Sequence, residues 1–295
     1  MKARLARISQ YPAPVRILIF ALVLVTLWLP FAIPLYRLIT DSNLVAILTM
    51  VILYGLFLVL VKLWGSQVYH QPNLLQRYGL VLSCQSGMEC LEGFAIGCFS
   101  CFILFGTQAW FGWILWQSPT SAFPRIMVEG LLVSIGVALA EELVFRGWLL
   151  DELQRDYTAV FARWLNAGIF AILHFIKPVS DIIRTLPQFP GLVLLGLTLV
   201  WAKQVGRYSS PGQYGFSLKR TVCGRLSLPI GLHGGLIWSY YLVKVGQLCQ
   251  YTDRVPEWVT GIDGNPLSGI MGLCFMAVLM LALRQLALTI DVKGG

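Results

Sequence analysis

Charge is scarce in this chain of 295 residues, because only 12% of them are Asp, Glu, Lys or Arg while 57% are apolar. A soluble domain carries about twice that fraction of charged residues. The mean hydropathy is +0.72, and apolar runs long enough to span a bilayer recur along the sequence. The composition excludes an ordinary soluble domain and predicts an all-α integral membrane protein.

The apolar runs predict eight transmembrane helices and one polytopic domain over residues 1–295. We find no internal repeat, and the basic segment at 204–225 is punctuated by Gly, Ser and Pro, which predicts a mobile loop. The predicted spans are 17–36, 44–62, 94–116, 127–150, 157–176, 189–203, 226–245 and 266–286.

The distribution of Lys and Arg predicts the orientation in the membrane. If the N-terminus lies inside, 16 of the 22 basic residues fall in inside segments. By the positive-inside rule, we expect both termini on the cytoplasmic side of a multi-pass protein. The asymmetry also explains the net charge of +8. The basic residues form no face interleaved with aromatics, so the expected partner is the lipid bilayer and not a nucleic acid.

Two common metal motifs are missing or incomplete. The chain has three histidines and no H-E-x-x-H, which excludes a zincin of the soluble type. Cys98 and Cys101 form a lone C-x-x-C inside an apolar helix, with no second pair to complete a zinc site. We interpret these two cysteines as small core residues.

The stretch "GVALAEELVFRGWLL" (136–150) places three charged side chains inside an apolar run. Each costs about 2.5–3.5 kcal/mol at the centre of a bilayer on insertion scales, so such residues are candidates for function. Glu142 and Arg146 are four residues apart and can pair on one helix face. Glu141 is turned about 100° away, which leaves it free to face a cavity. We therefore expect Glu142 and Arg146 to support a site that uses Glu141.

Two histidines lie inside other predicted helices: His174 in "IFAILHF" and His233 in "PIGLHGGLIW". One Glu and two His in a membrane cavity suit hydrolysis by an activated water, in which Glu141 takes the proton, His174 orients the water and His233 donates to the oxyanion. A metal site with an open position and a proton-coupled carrier are the alternatives. The G-x-x-x-G pattern around His233 predicts close helix packing.

Three segments, in this order, resemble the motifs of one family. "EELVFR" (141–146), "FAILH" (170–174) and "HGGLI" (233–237) are similar to E-E-x-x-x-R, F-x-x-x-H and, in part, H-x-x-x-N. Together they resemble the CaaX-protease and bacteriocin-processing family of intramembrane proteases, over about residues 78–245. The resemblance implies an endopeptidase that cleaves a membrane-anchored or lipidated protein.

The resemblance also implies roles for the site residues. Glu141 and His174 would activate the attacking water, His233 would stabilise the transition state, and Glu142 and Arg146 would support them. The family is described both as metalloproteases and as glutamate-dependent enzymes. It therefore implies either no cofactor or a divalent metal such as zinc, which Glu141, His174 and His233 would hold.

Two features of the sequence run against this expectation. Ile237 stands where the third motif usually has a polar residue, often Asn, and its side chain donates no hydrogen bond. Either one oxyanion donor is missing, or Ser239 or a backbone group replaces it. Losing one oxyanion donor can cost about 10²–10³ in rate, which keeps a catalytically impaired scaffold or immunity-type protein as the alternative. In addition, the predicted spans put His174 near the outer end of its helix and Glu141 nearer the middle of its own. The two residues meet only if one helix tilts or starts late.

Overall fold

Helices make up most of the part of the chain that the computed structural model describes, which is residues 7–206 and 224–294. Most of the predicted loop at 204–225 lies outside the described residues. Two short strands, β1 (Ile114–Trp116) and β2 (Cys249–Tyr251), pair antiparallel. The α-helices are α1 (Ala13–Leu38), α2 (Ser42–Gln67), α3 (Leu74–Arg77), α4 (Cys84–Trp110), α5 (Phe123–Glu142), α6 (Leu150–Gln154), α7 (Ala159–Leu173), α8 (Val179–Thr185), α9 (Phe189–Val205), α10 (Ser227–Lys244), α11 (Glu257–Thr260) and α12 (Ile270–Gly294).

A helix occupies each of the eight predicted spans, but eight membrane crossings are not confirmed. Within the described residues, 5 helical stretches are long and apolar enough to cross a membrane, judged by length and composition. Of the other predicted spans, α7 has only 15 residues and is about 22 Å long, against a hydrocarbon core of about 30 Å. The five stretches are Ala13–Leu38, Ser42–Gln67, Cys84–Trp110, Val179–Val205 and Ile270–Ile290.

One long helix is built from α5, a π-helical segment (Leu143–Leu149) and α6. It forms a hairpin with α7, and this hairpin brings Glu141 and His174 to the same depth. Glu141 lies about 20 Å from the end of α6, and His174 about 22 Å from the start of α7, at 1.5 Å per residue. The sequence predicted different depths for Glu141 and His174, and this prediction is wrong. The helix of Glu141 extends to Gln154, beyond the predicted end at 150, and α7 ends at Leu173, before the predicted end at 176.

Glycines let α10 pack directly against α4. A Cβ added to Gly231 would lie 1.9 Å from the carbonyl oxygen of Cys90, and one added to Gly235 would lie 2.2 Å from that of Phe94. Only glycine permits such an approach, so the close packing predicted from G-x-x-x-G is confirmed. This contact fixes the helix that carries His233.

A polar cluster joins the end of α6 to α1 and to the loop after α2. The carboxylate of Glu152 accepts hydrogen bonds from Arg16 Nε at 3.0 Å and from the Tyr69 hydroxyl at 2.6 Å. Burial and the neighbouring Glu152 carboxylate raise the pKa of Tyr69 well above its usual range, so the phenol stays protonated and donates. The cluster anchors the end of the helix that carries Glu141.

Candidate active site

The three residues predicted to be catalytic lie together, although each belongs to a different helix. Glu141 lies near the end of α5, His174 directly follows α7, and His233 lies in α10. The Oε2 atom of Glu141 is 3.9 Å from Nε2 of His174 and 4.0 Å from Nε2 of His233. The structure thus brings two imidazoles to the same carboxylate oxygen.

That carboxylate oxygen has no hydrogen-bond partner among the described residues, although it is buried. The Glu141 side chain as a whole is 28% exposed, so the group lies at the edge of the protein interior. Separations of 3.9 and 4.0 Å are too long for direct hydrogen bonds. They are of the size that one water molecule can bridge. Glu141 is therefore placed to accept a proton from such a water.

The backbone fixes the tautomer of His174. Its Nδ1 atom lies 2.8 Å from the carbonyl oxygen of Phe170, one turn earlier in α7. A carbonyl only accepts hydrogen bonds, so Nδ1 carries the hydrogen and Nε2 of the neutral ring keeps its lone pair. That lone pair belongs to the nitrogen nearest Glu141, which is the arrangement needed to accept a hydrogen bond from the attacking water.

His233 is held by Glu142, which also pairs with Arg146. The Oε1 atom of Glu142 lies 2.9 Å from Nδ1 of His233 and 2.9 Å from Nη1 of Arg146. Glu142 and Arg146 are both fully buried. The carboxylate accepts from Nδ1, so Nε2 of His233 becomes a donor when the ring is doubly protonated.

Arg146 connects this pair to two further helices. Its Nη2 atom donates to the carbonyl oxygen of Gly196 in α9 at 3.2 Å. Its guanidinium carbon lies 4.3 Å from the centroid of the Phe170 ring in α7, close enough for a cation–π contact. The Phe170 ring in turn lies 4.5 Å from the ring of His174. Glu142 and Arg146 thus support both imidazoles.

Two polar side chains hold the π-helical segment that follows the glutamates. Asn166 Nδ2 donates to the carbonyl oxygen of Phe145 at 2.7 Å, and Lys203 Nζ donates to that of Arg146 at 2.7 Å. Segments of π-helix often mark functional sites, and here the one segment sets the rotation of Arg146 relative to the two glutamates. The sequence reasoning missed both residues. The sequence does mark Lys203 as a candidate for function, because it is an ionisable residue within an apolar run.

Ser239, one of the alternatives for the missing Asn donor, bonds within its own helix. Its hydroxyl is fully buried and donates to the carbonyl oxygen of Gly235 at 2.6 Å. A serine inside a helix commonly bonds the carbonyl one turn back, which uses its only hydrogen. Ile237, one turn after His233, lies half-buried on the face of α10 that carries His233.

The cluster does not fit a metal site in its present geometry. Adjacent ligands of a tetrahedral zinc lie about 3.4 Å apart when the bonds are about 2.1 Å long. The two distances from Glu141 Oε2 are 3.9 and 4.0 Å. Within residues 7–206 and 224–294, no group of three His, Cys, Asp or Glu side chains is arranged to hold a metal ion. The steps derived below therefore use the protein side chains and water.

The fold and the site define a helical membrane protein with a Glu/His cluster on three packed helices. Residues 123–208 match the family model described as "Type II CAAX prenyl endopeptidase Rce1-like". This match confirms the family resemblance seen in the motifs, and members of that family are generally membrane proteases. The matched segment contains Glu141, Glu142, Arg146 and His174 and ends before His233. No match was found among curated proteins or among solved structures.

Proposed function

We propose that this protein is an intramembrane endopeptidase of the CaaX type, which hydrolyses a peptide bond of a membrane-associated or lipidated protein. The observation that carries the proposal is the buried, unpartnered Oε2 atom of Glu141 with two imidazole nitrogens about 4 Å away. The family match over residues 123–208 supports the same reaction class. The proposed catalytic residues are Glu141, His174 and His233.

In the first step, a water between Glu141 and His174 becomes the nucleophile. It gives a hydrogen bond to each residue, and Glu141 Oε2 takes one of its protons as the oxygen attacks the substrate carbonyl carbon. The lone pair on His174 Nε2 orients the water, because the Phe170 carbonyl holds the ring in the required tautomer. One C–O bond forms, and the carbonyl π electrons move onto the substrate oxygen.

In the second step, His233 stabilises the oxyanion and the peptide bond breaks. Doubly protonated His233 donates from Nε2 to the negative oxygen, while Glu142 accepts from Nδ1 and keeps the ring in place. The oxyanion then re-forms a carbonyl and the C–N bond cleaves. The proton held by Glu141 passes to the leaving amine, so the carboxylate is ready for another turnover. The products are a new carboxyl terminus and a new amino terminus.

The surroundings of the site favour a substrate that is already in the membrane. Helices long and apolar enough to cross a bilayer make up much of the described chain, and the bilayer brings such a substrate to the cluster. We propose that both termini face the cytoplasm, as the 16 basic residues of the inside segments indicate. Cysteine labelling of the two termini in sealed vesicles tests this orientation, and labelling from the opposite side would contradict it.

A cleavage assay in liposomes tests the proposed chemistry. It uses a panel of fluorogenic lipidated and transmembrane peptides with the wild type, Glu141→Gln and His174→Ala. We expect both variants to lose cleavage by about 10² or more while they accumulate as folded protein. The matched control is Glu129→Gln on the same helix, because Glu129 is exposed and pairs with Arg125; this variant should retain activity.

Two outcomes would contradict the proposal. One is cleavage by Glu141→Gln at the rate of the wild type. The other is a loss of folded protein in Glu141→Gln with unchanged specific activity, which is the result expected if the glutamate only stabilises helix packing. Inhibition by a chelator, reversed by added zinc, would contradict the steps written without a metal and leave the reaction class intact.

A further inference from the structure

A cavity of about 550 Å³ lies at the end of α10 that is remote from the catalytic cluster. Lys244, the last residue of α10, lines this cavity, and at 1.5 Å per residue it lies about 16 Å along the helix from His233. Strand β2 and the residues beside it form much of the remaining wall. A different and smaller cavity lies beside His233, between α4, α9, α10 and α12. The cavity at Lys244 therefore belongs to no part of the proposed catalytic site.

The lining of the cavity at Lys244 favours an anionic group. Lys244 is the only charged side chain among the described residues that line it, and none of them is Asp or Glu. A cation that no carboxylate in the wall neutralises attracts an anion. Neutral side chains able to form hydrogen bonds also line the cavity: Gln117, Tyr240, Gln247, Gln250 and Tyr251.

Three donors meet at two consecutive backbone carbonyls in the loop before α12. The Lys244 ammonium donates to the carbonyl oxygen of Asp263, which leaves two of its three hydrogens for a ligand. The hydroxyl oxygens of Tyr240 and Tyr251 lie 3.5 and 3.4 Å from the carbonyl oxygen of Gly264. These separations exceed the usual range of about 2.5–3.0 Å for an O–H···O hydrogen bond, so both hydroxyls can donate to a stronger acceptor.

The available donors suit a phosphate group. Burial raises the pKa of Tyr251 well above its usual range, so the phenol stays protonated and can donate. A phosphate has several acceptor oxygens, which can bind the ammonium and the phenols at the same time. Cavities that enclose a whole ligand usually measure about 300–1,000 Å³. The cavity of about 550 Å³ therefore has room for groups attached to the phosphate.

A smaller cavity of about 210 Å³ adjoins the first and carries the opposite charge. Lys244 lines both cavities, and the smaller one is also lined by Asp253, Glu257 and Asp263. Asp263 pairs with Arg184, whereas Asp253 and Glu257 form no ion pair with another described residue. Their carboxylates attract a cationic group. The two cavities together suit a ligand with a phosphate and, a few bonds away, an ammonium group.

Exposed tryptophans surround these cavities and indicate the level of the lipid headgroups. Trp110 at the end of α4 is 88% exposed, Trp116 in β1 is 45% exposed and Trp258 in α11 is 58% exposed. Strand β1 pairs with β2, which lines the larger cavity, and α11 begins at Glu257, which lines the smaller one. Tryptophans are enriched at the boundary between the hydrocarbon core and water. The headgroup of a phospholipid in that leaflet therefore lies at the depth of both cavities.

We propose that the two cavities form a binding site for a zwitterionic phospholipid headgroup, with the phosphate beside Lys244 and the ammonium group beside Asp253 and Glu257. The preferred lipid is phosphatidylethanolamine, because its primary ammonium donates hydrogen bonds to carboxylates and the quaternary ammonium of phosphatidylcholine does not. Phosphatidylglycerol brings the phosphate without a cation to face the carboxylates. The site goes beyond the proposed endopeptidase function and does not depend on it.

Native mass spectrometry of the full chain in detergent tests this site, because each bound lipid changes the measured mass. Phosphatidylethanolamine, phosphatidylglycerol and phosphatidylcholine with identical acyl chains are titrated separately against the wild type. We expect phosphatidylethanolamine to bind about 10-fold more tightly than the other two, since a hydrogen bond to a charged group can change an affinity by that factor. Equal affinities for the three lipids would overturn the proposal.

Variants of the two cavities should have different effects. Lys244→Met removes the cation beside the phosphate, so the affinity for all three lipids should fall about 10-fold. Asp253→Asn/Glu257→Gln should remove the preference for phosphatidylethanolamine over phosphatidylcholine. Lys177→Met is the matched control, because Lys177 lines neither cavity, and it should bind as the wild type does. The same loss in Lys177→Met as in Lys244→Met would indicate a general attraction to headgroups and overturn the assignment.

A milder variant protects the test against a folding defect in Lys244→Met, which thermal unfolding without added lipid detects. Tyr251→Phe keeps the ring and removes only the hydroxyl that faces the larger cavity. We expect its affinity for phosphatidylethanolamine to fall about 5-fold while its unfolding temperature stays near that of the wild type. Wild-type affinity in Tyr251→Phe, together with a failure of Lys244→Met to fold, would overturn the proposal.

Soluble competitors distinguish a lipid headgroup from a free phosphate as the ligand. Inorganic phosphate and glycerophosphoethanolamine are titrated separately into protein that carries bound phosphatidylethanolamine. We expect glycerophosphoethanolamine to displace the lipid at the lower concentration, because it carries the ammonium group as well as the phosphate. Displacement by inorganic phosphate at an equal or lower concentration would identify a site for free phosphate and overturn the lipid assignment.

Discussion

Removing the buried ion pair in two steps separates its contribution to folding from its contribution to catalysis. In Glu142→Gln the amide oxygen still accepts from His233, but the charge of Arg146 stays buried without its carboxylate. Breaking a fully buried pair from one side costs about 3–5 kcal/mol of unfolding free energy, and both side chains are 0% exposed. We therefore expect a strong loss of stability in this single variant.

Arg146→Met should be less destabilising, and the structure gives the reason. Glu142 Oε1 lies 2.9 Å from Nδ1 of His233 as well as 2.9 Å from Arg146. Glu142 therefore keeps one hydrogen-bond donor, Nδ1 of His233, after Arg146 is replaced. In the double variant Glu142→Gln/Arg146→Met no uncompensated charge remains, so most of the stability should return. Replacing both members of a buried pair is often nearly neutral.

Activity should follow a different pattern from stability. The double variant replaces the charged hydrogen-bond partner of His233 Nδ1 with a neutral amide, so we expect kcat to stay about 10²–10³ below that of the wild type although the protein is stable. Thermal unfolding in detergent and kcat on the best peptide measure the two quantities for all four proteins. A stable double variant with the activity of the wild type would refute the role given to Glu142 in holding His233.

Three further changes test other parts of the structure. Lys203→Met removes the donor that holds the Arg146 carbonyl. We expect kcat in the peptide cleavage assay to fall about 10-fold or more with little change in KM. A change in KM alone would contradict this expectation. Gly231→Ala should disrupt folding, because its Cβ would lie 1.9 Å from a carbonyl oxygen. Gly234→Ala is the control and should unfold at the temperature of the wild type, because the nearest atom to its Cβ is 3.7 Å away. Equal unfolding temperatures for the two variants would contradict the packing. The pKa of Tyr69 is raised in the folded protein above the value of about 10 that the unfolded chain has. The protonated phenol therefore contributes its full stability below pH of about 10, and this contribution should be lost as the pH rises further. Tyr69→Phe should lose less stability above pH of about 10 than the wild type, and an identical pH profile would argue against the assignment.

The relation between the two glutamates and Arg146 could be predicted from helical spacing alone. Positions 142 and 146 share a face, and the structure places their side chains 2.9 Å apart with Glu141 unpaired. The G-x-x-x-G around His233 likewise predicted a close helix contact, because small residues one turn apart let two helix backbones approach closely. These features depend on local geometry, which the sequence determines directly.

Features that depend on how separate helices meet could not be predicted in the same way. The depth of His174 depends on where α7 ends, and an apolar run does not mark that end. The π-helical segment is held by Asn166 and Lys203 from two other helices, so the local sequence around it carries no signal of its own. The cavity beside His233 forms between four helices, so no single segment of the sequence predicts it.

Single-turnover cleavage in water enriched with ¹⁸O tests the central claim most directly, with wild type and Glu141→Gln compared at equal amounts of folded protein. The account predicts that the wild type places one ¹⁸O atom in the new carboxyl terminus, because the water held at Glu141 attacks the peptide carbonyl. It also predicts that Glu141→Gln forms essentially no product while unfolding at the temperature of the wild type. Product formation by Glu141→Gln at the rate of the wild type would contradict the account.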